Sequence, residues 1–364
     1  MRFRSALSVA AVILLLAGCS TAPSTAPEGP ELPANYDLPL AELDLLADPL
    51  SFEGPSTAVL AATDVNAPSS PPQQQLPVSV TSHDLDGDVK VTVSSTERIL
   101  ALDIAGSIAA TVFGLGFGDS VVGRDTSSTF PQAADLPVVT NGGHSINSEA
   151  VLALEPTVVI TDGTIGPIDV ILQLRDAGIP VVFVSRTPSL DGVGELARDV
   201  ASALGAPAAG ESLAESLAAG LDAKVAEIAA VSPPAPLRMV FLYLRGSAGI
   251  YYLFGSESGA DELITSLGGR DVAGEMGWTG MRPITDEALV SADPDLILVM
   301  TDGLSSVGGV DGLLADKPAI ALTAAGQKKR IVDMADGEIL SFGPRTADVL
   351  DALARAIYAP PVAD

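Results

Sequence analysis

Two side chains that could hold an iron atom, and an arginine that could support one of them, stand out in a sequence with few other metal-binding residues. The chain of 364 residues contains two histidines and one cysteine, which excludes cysteine-rich zinc sites, paired redox thiols and most histidine-based catalytic relays. Tyr243 and Arg245 end an apolar run, and residues two apart on a strand project to the same side. We therefore expect Arg245 to reach the phenolic oxygen of Tyr243 and to favour its ionised form. A phenolate is a hard anionic donor suited to ferric iron.

His144 is the second candidate iron ligand. The run Leu136–Val139 predicts a strand, Asn141 to Gly143 form a glycine-rich turn, and His144 follows before a helix that starts near Ser148. A histidine and a tyrosine on opposite sides of a cleft could bind one iron from both sides. Ordinary structural roles remain open for both residues, because a histidine can cap a turn and a tyrosine can lie in a core with its hydroxyl satisfied.

Further side chains could line the same ligand site. A methionine ends a predicted strand but is equally suited to a core, and an arginine before a proline could meet an anionic group. Aromatic residues in glycine-rich segments could stack on a flat ligand or pack beneath their own loops. These weaker candidates are Met300, Arg282, Tyr251, Tyr252 and Trp278.

The elements that must position these residues alternate between strand and helix. From Arg98 onward, short β-branched runs alternate with apolar residues at helical spacing, which predicts an α/β fold with parallel sheets covered on both faces. Open sheets of this kind bind ligands beyond the carboxyl ends of their strands. The candidate ligands follow such strand ends, so the sequence predicts a binding site at those edges.

One uninterrupted helical pattern separates two such α/β regions. It runs from Glu211 to Ala230 and ends at a cluster of prolines, which gives a helix about 30 Å long. The sequence thus predicts two Rossmann-like lobes with parallel sheets, joined by a single long rigid helix, with a ligand cleft between them. We place the N-terminal lobe at residues 91–206, the connecting helix at 207–232 and the C-terminal lobe, with its closing helix, at 237–358.

The N-terminus carries an export signal. Arg2 and Arg4 precede an apolar run that ends in small residues before Cys19, the only cysteine, and this pattern resembles the lipobox of bacterial lipoproteins. The resemblance implies a signal peptide over residues 1–18, acylation of Cys19 and attachment to the outer face of the cell membrane. A plain signal peptide with an accidental cysteine is the alternative. Residues 19–90 are rich in Pro, Ser, Thr and Ala, and we predict a mostly disordered, lipid-anchored stalk.

Composition narrows the classes of partner and activity. Hydrophobic residues make up 47% of the chain and the formal net charge is −27, so nucleic acid is a poor partner. The sequence contains no Gly-x-Ser-x-Gly elbow and no phosphate-binding loop motif. An exported enzyme therefore remains only a remote alternative, and we predict that the chain is a binding protein.

The two lobes share a short repeated sequence pattern. Glu149 begins the run Glu-Ala-Val-Leu and Glu287 begins Glu-Ala-Leu-Val, each seven residues before a proline. Together with the lipobox and the long connecting helix, these segments resemble the metal-chelate binding lipoproteins of ABC importers, which carry siderophores, cobalamin or haem. The resemblance implies that Glu149 and Glu287 dock onto arginines of the permease, one per lobe. Each glutamate also lies in the first turn of a predicted helix, where it could serve the helix dipole alone.

Two short fragments resemble one group within this larger family more closely. The fragment Phe241 to Gly246 and the turn Asn141 to His144 are similar to those of the haem-binding lipoproteins of Gram-positive actinobacteria. This likeness implies ferric haem b as the transported ligand, with axial His144 and Tyr243 and with Arg245 supporting the tyrosine. It also implies as partners an ABC permease with its ATPase and upstream cell-surface haem-binding proteins. A ferric siderophore or cobalamin carrier on the same scaffold is the alternative.

Overall fold

The computed structural model describes residue 32 and residues 35–60, 64–142 and 144–361. The strands are β1 Ser56–Ala58, β2 Val78–Asp84, β3 Gly87–Val93, β4 Ile99–Leu102, β5 Val121–Gly123, β6 Thr140–Asn141, β7 Ser145–Ile146, β8 Val158–Thr161, β9 Val181–Phe183, β10 Arg238–Arg245, β11 Ile250–Phe254, β12 Arg270–Asp271, β13 Met281–Pro283, β14 Leu296–Met300 and β15 Ile331–Met334. The α-helices are α1 Ser107–Gly114, α2 Ser148–Ala153, α3 Ile168–Asp176, α4 Leu190–Ala203, α5 Pro207–Val231, α6 Ala260–Ser266, α7 Val272–Glu275, α8 Asp286–Ala292, α9 Thr301–Ser305, α10 Gly309–Asp316, α11 Ala324–Gln327 and α12 Thr346–Tyr358. The α/β class predicted from the alternating pattern is confirmed.

The N-terminal lobe is built on a parallel sheet with strand order β5-β4-β8-β9. Every residue of β4, β8 and β9 is buried, because helices cover both faces of the sheet. One core cluster lies on each face, around Val112 and Val200 on one side and around Ile171 on the other. Fully buried strands of this kind read as continuous apolar runs rather than as alternating patterns.

The C-terminal lobe is built on a larger, mixed sheet. Its strand order is β1-β15-β14-β10-β11-β13, with β12 pairing to β10. The strands from β1 to β10 along this order are parallel, whereas β11 and β13 are antiparallel to their neighbours. The segment of Tyr251 to Phe254, predicted as loop, is therefore a strand. Glycines at positions 249 and 255 flank it closely, and they hide a five-residue strand within what reads as a glycine-rich loop.

The connecting helix α5 packs against both lobes. The buried residues of α5 are Gly210, Ala214, Leu221 and Ile228, and they recur at helical spacing on one face of the helix. Leu213, near the N-terminal end, packs on the core of the N-terminal lobe, whereas Leu221 and Ile228 belong to the core of the C-terminal lobe. The same helix therefore packs against the hydrophobic cores of both lobes.

The segment before residue 91 differs from the predicted disordered stalk. Within the described residues, Leu40, Leu43 and Leu60 are buried in the core of the C-terminal lobe, and β1 extends its sheet. Hairpin β2–β3 packs on the N-terminal lobe. The apolar residues of this segment are buried singly, at irregular spacing, so the sequence has no helical or strand periodicity there. Its proline-rich composition therefore wrongly indicated disorder.

Buried Arg330 ties this N-terminal segment to the rest of the C-terminal lobe. The residue is 1% exposed. Its guanidinium donates to Ser56 Oγ at 3.1 Å and to the carbonyl of Ile357 at 2.6 Å, and its carbon lies 4.6 Å from the ring centroid of Phe52. The side chain of Lys328 also donates to the carbonyl of Leu50. These contacts connect the segment to both β15 and α12.

The export signal, Cys19 and the first part of the predicted stalk lie outside the described residues. Within the part that is described, none of the helices is both long enough and apolar enough to cross a membrane. The predicted strand Leu136–Val139 is also different, because only Val138 makes a bridge, to Arg124, and the ordered pairing begins at Thr140.

Candidate ligand-binding site

Tyr243 is held by the sheet of the C-terminal lobe. It lies near the carboxyl end of β10, directly opposite Tyr252 of β11. Its ring stacks on Phe254 with the centroids 6.0 Å apart, and the side chain is half-buried against the core. Apolar alternation along β10 places Tyr243 on the same face as Phe241. The position of this ring is therefore fixed by packing.

Arg245 lies over the ring of Tyr243 rather than beside its hydroxyl. The guanidinium carbon is 4.6 Å from the ring centroid, and Nη1 donates to the carbonyl of Leu244 at 2.9 Å. Among the described residues, Arg245 makes no hydrogen bond to the phenolic oxygen, in contrast to our expectation. The guanidinium instead forms an ion pair with Asp336 at 2.5 Å, and this acceptor draws it across the ring face.

Asp336 is a residue of the site that the sequence analysis missed. It lies two residues beyond the end of β15, and its second carboxylate oxygen accepts the backbone N–H of Asp302 at 2.9 Å. Burial raises the pKa of Asp336, although that N–H and the Arg245 guanidinium oppose the increase. The rule that ligand sites lie beyond strand ends would have pointed to this residue.

Met300 and Tyr252 lie beside Tyr243, whereas the other weaker candidates do not. Met300 ends the neighbouring strand β14, with its sulfur 4.0 Å from Arg245 Nη2. Met300 and Tyr252 pack against the same core cluster as Tyr243. Tyr251 and Trp278 pack against the cluster on the opposite face of the sheet. This separation is a correction to the predicted set, because adjacent residues of β11 project to opposite faces.

Tyr251 and Arg282 have other surroundings. The hydroxyl of Tyr251 donates to Asp316 at 3.3 Å, and Lys317 Nζ lies 4.2 Å from its ring. Burial raises the pKa of Tyr251, and the charge of Asp316 raises it further. Arg282 is exposed on β13, opposite Leu253, and within the described residues it makes no ion pair. The geometry thus gives neither residue a contact with Tyr243.

His144 lies at the tip of the short hairpin β6–β7 in the N-terminal lobe. Its backbone has a φ of 62°, in the left-handed region that side chains other than glycine seldom adopt. The ring is half-buried, and Nδ1 lies 3.5 Å from the hydroxyl of Ser127. The histidine therefore projects from a tight turn with one polar neighbour.

Two buried carboxylates support the loop that carries Ser127. Asp125 accepts the backbone N–H groups of Ser127 and Ser128, both at 2.8 Å, and that of Asp103 at 3.1 Å. Asp103 accepts the N–H groups at the start of α1. Burial raises the pKa of Asp125, and burial together with the neighbouring charge of Asp125 raises that of Asp103 well above its ordinary value. Neither carboxylate was singled out from the sequence.

The lobes meet around a cavity at the strand ends. From the N-terminal lobe it is lined by residues that include Asp103, Asp162 and Arg186, and from the C-terminal lobe by Leu340 and Phe342. The N-terminal residues follow β4, β8 and β9, as expected for a sheet that binds ligands at its carboxyl edge. The N-terminal lobe provides both polar and apolar groups to this cavity, and its lining includes neither His144 nor Tyr243.

Glu149 and Glu287 occupy equivalent positions in the two lobes. Each is exposed and lies in the first turn of its helix, α2 or α8. Two residues before each glutamate an N-cap side chain, Asn147 or Thr285, accepts a backbone N–H at 3.2 Å. At each helix start the N-cap side chain accepts a free backbone N–H group. Both glutamate carboxylates therefore project outward without a capping role of their own.

Comparisons with known proteins agree with this architecture. The family model described as periplasmic binding protein matches residues 104–336. Among solved structures, the haem-binding protein HmuT is 42% identical, with a TM-score of 0.80, and the match covers 86% of this chain and 99% of that chain. Other solved HmuT chains carry alanine in place of one histidine, one tyrosine or one arginine.

Two further relatives are more distant. The periplasmic haem-binding protein RhuT from Roseiflexus sp. RS-1 is 37% identical, with a TM-score of 0.64, over 72% of this chain and 98% of that chain. The cobalamin-binding protein of Halobacterium salinarum is 28% identical over 77% of this chain and 74% of its own length. The matched family model covers most of the folded region, and the chain therefore belongs to the periplasmic binding protein family.

Proposed function

We propose that this protein is the haem-binding component of an ABC importer and captures ferric haem b between its lobes. The observation that carries the proposal is the pair formed by Tyr243 and Arg245 at the carboxyl end of β10. Tyr243 is held in place there, because its ring stacks on Phe254 and lies beneath the guanidinium of Arg245. The similarity to HmuT over 86% of this chain supports the same ligand.

The proposed ligation uses one residue from each lobe. Tyr243 donates a phenolate oxygen to the ferric ion from the C-terminal lobe, and His144 donates a ring nitrogen from the N-terminal lobe. Arg245 supports the tyrosine. The residue types are those replaced in the solved HmuT variants, a histidine, a tyrosine and an arginine. Met300 and Tyr252, which pack beside Tyr243, would contact the porphyrin.

Delivery completes the proposed role. Glu149 and Glu287 are exposed at equivalent helix starts, which suits docking to a permease with two-fold symmetry and complementary positive charge. An ATPase would drive that permease, and upstream cell-surface proteins would supply the haem. Acylation of Cys19 would hold the protein at the outer face of the cell membrane, because two or three acyl chains anchor stably.

Lipid attachment can be tested separately from haem binding. A Cys19→Ala variant should be released to the medium or remain unprocessed, and a radioactive fatty acid should label only the parent. Membrane retention of the variant together with absence of label from the parent would contradict the anchor and leave the haem proposal unaffected.

Cobalamin is the second candidate ligand. The relative from Halobacterium salinarum is named for it and covers 77% of this chain. A cobalamin carrier needs no iron ligands, so Tyr243 and His144 would not affect its binding. A ferric siderophore belongs to the same alternative.

A panel of ligands decides between these candidates. The purified protein is titrated with haemin, cyanocobalamin and a ferric siderophore, with binding followed by absorbance and by thermal shift. We expect a saturable, one-to-one change in the haemin spectrum and stabilisation by haemin alone. Stabilisation by cobalamin or the siderophore, with an unchanged haemin spectrum, would contradict the haem proposal.

A further inference from the structure

A short turn after β15 contacts a neighbour of each candidate iron ligand, Arg245 beside Tyr243 and Ser127 beside His144. This bridging turn comprises Ala335 to Glu338, and the Ala335 carbonyl accepts the N–H groups of Glu338 at 3.0 Å and Ile339 at 3.2 Å. Ile339 is 1% exposed in the core of the C-terminal lobe. Glu338 pairs with the buried Arg345 at 2.8 Å. The turn is therefore anchored firmly in the C-terminal lobe.

On the side that faces the C-terminal lobe, the bridging turn contacts Arg245. Asp336 pairs with the guanidinium at 2.5 Å and also accepts the backbone N–H of Asp302 at 2.9 Å. The second bond fixes the carboxylate in place. Since the guanidinium lies 4.6 Å from the ring centroid of Tyr243, the position of Asp336 determines where the positive charge stands relative to the phenol.

On its other side, the bridging turn presses against the N-terminal lobe. A Cβ atom at Gly337 would lie 2.6 Å from the carbonyl oxygen of Ser127 and 2.9 Å from Thr129 Oγ1. The same Ser127 carbonyl oxygen would lie 2.8 Å from a Cβ at Gly106. The Ser127 backbone is thus enclosed between two glycines, one from each lobe, and its hydroxyl is the polar neighbour of His144.

We propose that Asp336 and Gly337 are positioning residues that set the separation between His144 and Tyr243. The contacts run without a gap from His144 through Ser127 and the bridging turn to Arg245 and Tyr243. A fixed separation selects a flat metal chelate of one thickness, because both axial bonds form only when the two donors stand at the right distance. The inference rests on the proposed haem ligation, and it adds the element that keeps the two ligands in register.

Gly337→Ala tests the contact with the N-terminal lobe. The added methyl group forces the Ser127 backbone and the turn apart, so we expect loss of the histidine bond while the tyrosine bond remains. Haemin affinity should fall by about tenfold to a hundredfold, the usual range for groups that orient metal ligands. Resonance Raman and electron paramagnetic resonance spectra should change from six-coordinate to tyrosine-only, five-coordinate iron.

Gly220→Ala is the matched control. Gly220 is exposed on α5, and a Cβ there meets no atom within 4 Å, so its haem complex should equal the parent complex. A Gly337→Ala complex identical to that of Gly220→Ala, in a parent with both axial bonds, would overturn the positioning role and leave the proposed function standing. A parent without both bonds would overturn the proposed function and this inference together.

Asp336→Asn tests the other contact and remains informative if Gly337→Ala does not fold. The amide keeps the shape of the carboxylate but loses the ion pair, so Arg245 should shift over the ring. We expect the tyrosinate Raman bands to move while the histidine bond persists. Asp311→Asn is the control, because Asp311 forms an exposed ion pair with Lys329 in the same lobe. Equal tyrosinate bands in both variants and the parent would contradict the role of Asp336.

Discussion

The two candidate iron ligands have very different supports. Tyr243 lies on an eight-residue strand with neighbours on both sides, a stacked phenylalanine and a guanidinium over its ring. His144 lies at the tip of a hairpin whose strands have two residues each, in the left-handed backbone region. Its Nδ1 atom lies 3.5 Å from the hydroxyl of Ser127. The tyrosine is thus fixed by a sheet, whereas the histidine depends on the loop beneath it.

This difference predicts an unequal division of labour in haem binding. A side chain packed in a sheet loses little conformational entropy when it binds iron, whereas a side chain in a short turn with fewer contacts loses more. The tyrosine should therefore provide most of the affinity. The histidine should mainly determine the coordination number of the iron.

Tyr243→Ala should cause the largest loss of haemin affinity. Removal of the phenolate deletes the stronger bond to iron, and we expect a decrease of more than about a hundredfold, beyond the range seen for groups that only orient a ligand. The measurement is a haemin titration by absorbance. Tyr252→Ala is the control, because Tyr252 lies directly opposite on β11 and packs on the same core. Equal losses in the two variants would remove the special role of Tyr243.

The support of Tyr243 was partly predictable from the sequence, and the support of Arg245 was not. Residue spacing on a strand placed Arg245 beside Tyr243, because that relation depends only on the period of two. The carboxylate that holds the guanidinium comes from Asp336, 91 residues further along the chain. A contact at such a separation depends on the order of strands in the sheet, and local patterns carry no information about it.

Arg245→Ala should have the next largest effect. The variant removes the positive charge over the ring and leaves Asp336 without its partner. We expect haem binding to weaken by about 1–2 kcal/mol, the usual scale for a partly desolvated cation over an aromatic ring. Arg245→Lys should recover part of this loss, since lysine keeps the charge but not the planar fork. Equal affinities for the parent and Arg245→Ala would show that the cation does not support the tyrosine.

His144→Ala should lower the affinity less and change the spectrum more. The tyrosine bond remains, so we expect a decrease of about tenfold and a change to tyrosine-only iron. His144→Gly should give the same spectrum without strain at the positive φ. His83→Ala is the control, because this second histidine lies on β2 and pairs with Asp88. A six-coordinate spectrum retained in both His144 variants would identify another ligand.

Buried carboxyl groups in both lobes should make stability depend on pH, and burial raises the pKa of Asp336 in the C-terminal lobe. Burial raises the folded-state pKa of Asp103 and Asp125 in the N-terminal lobe. Above the unfolded pKa of about 3.9, the folded state then holds more protons than the unfolded state, so the free energy of unfolding falls as pH rises through the folded pKa values. Each unit of difference between the folded and unfolded pKa contributes about 1.4 kcal/mol.

Asp125→Asn should reduce this pH dependence. The substitution removes one carboxyl and the charge that raises the pKa of Asp103. Urea unfolding between about pH 4 and pH 7 should therefore give a shallower decline than in the parent. Asp135→Asn, which changes an exposed carboxyl of the same lobe, should follow the parent. A slope for Asp125→Asn equal to that of the parent would contradict the raised pKa values.

Glu149→Ala and Glu287→Ala should leave haemin affinity unchanged and reduce haem uptake by cells. Both carboxylates are exposed and their helices are capped by other residues, so neither fold nor ligand site should change. Because each lobe provides one glutamate, the double variant should be more impaired than either single variant. Loss of haemin affinity with normal uptake per bound haem would reverse the assignment.

The division into lobes could be read from the sequence, whereas the course of the N-terminal segment could not. The apolar stripe of α5 and the prolines after it are local features, and they indicated the connecting helix directly. Leu40, Leu43 and Leu60 are buried at irregular spacing against the C-terminal lobe. These leucines are buried against a surface formed by distant parts of the chain. Periodicity within the segment therefore cannot predict their burial.

The ferric haem complexes of the parent and Tyr243→Phe provide the most direct test of the central claim. Phenylalanine keeps the ring that stacks on Phe254 and lies beneath Arg245, and only the oxygen is lost. Resonance Raman spectra of the parent should contain tyrosinate bands that are absent from Tyr243→Phe and retained in the control Tyr252→Phe. Tyrosinate bands of equal intensity in the parent and Tyr243→Phe, or their absence from the parent, would show that Tyr243 does not bind the iron.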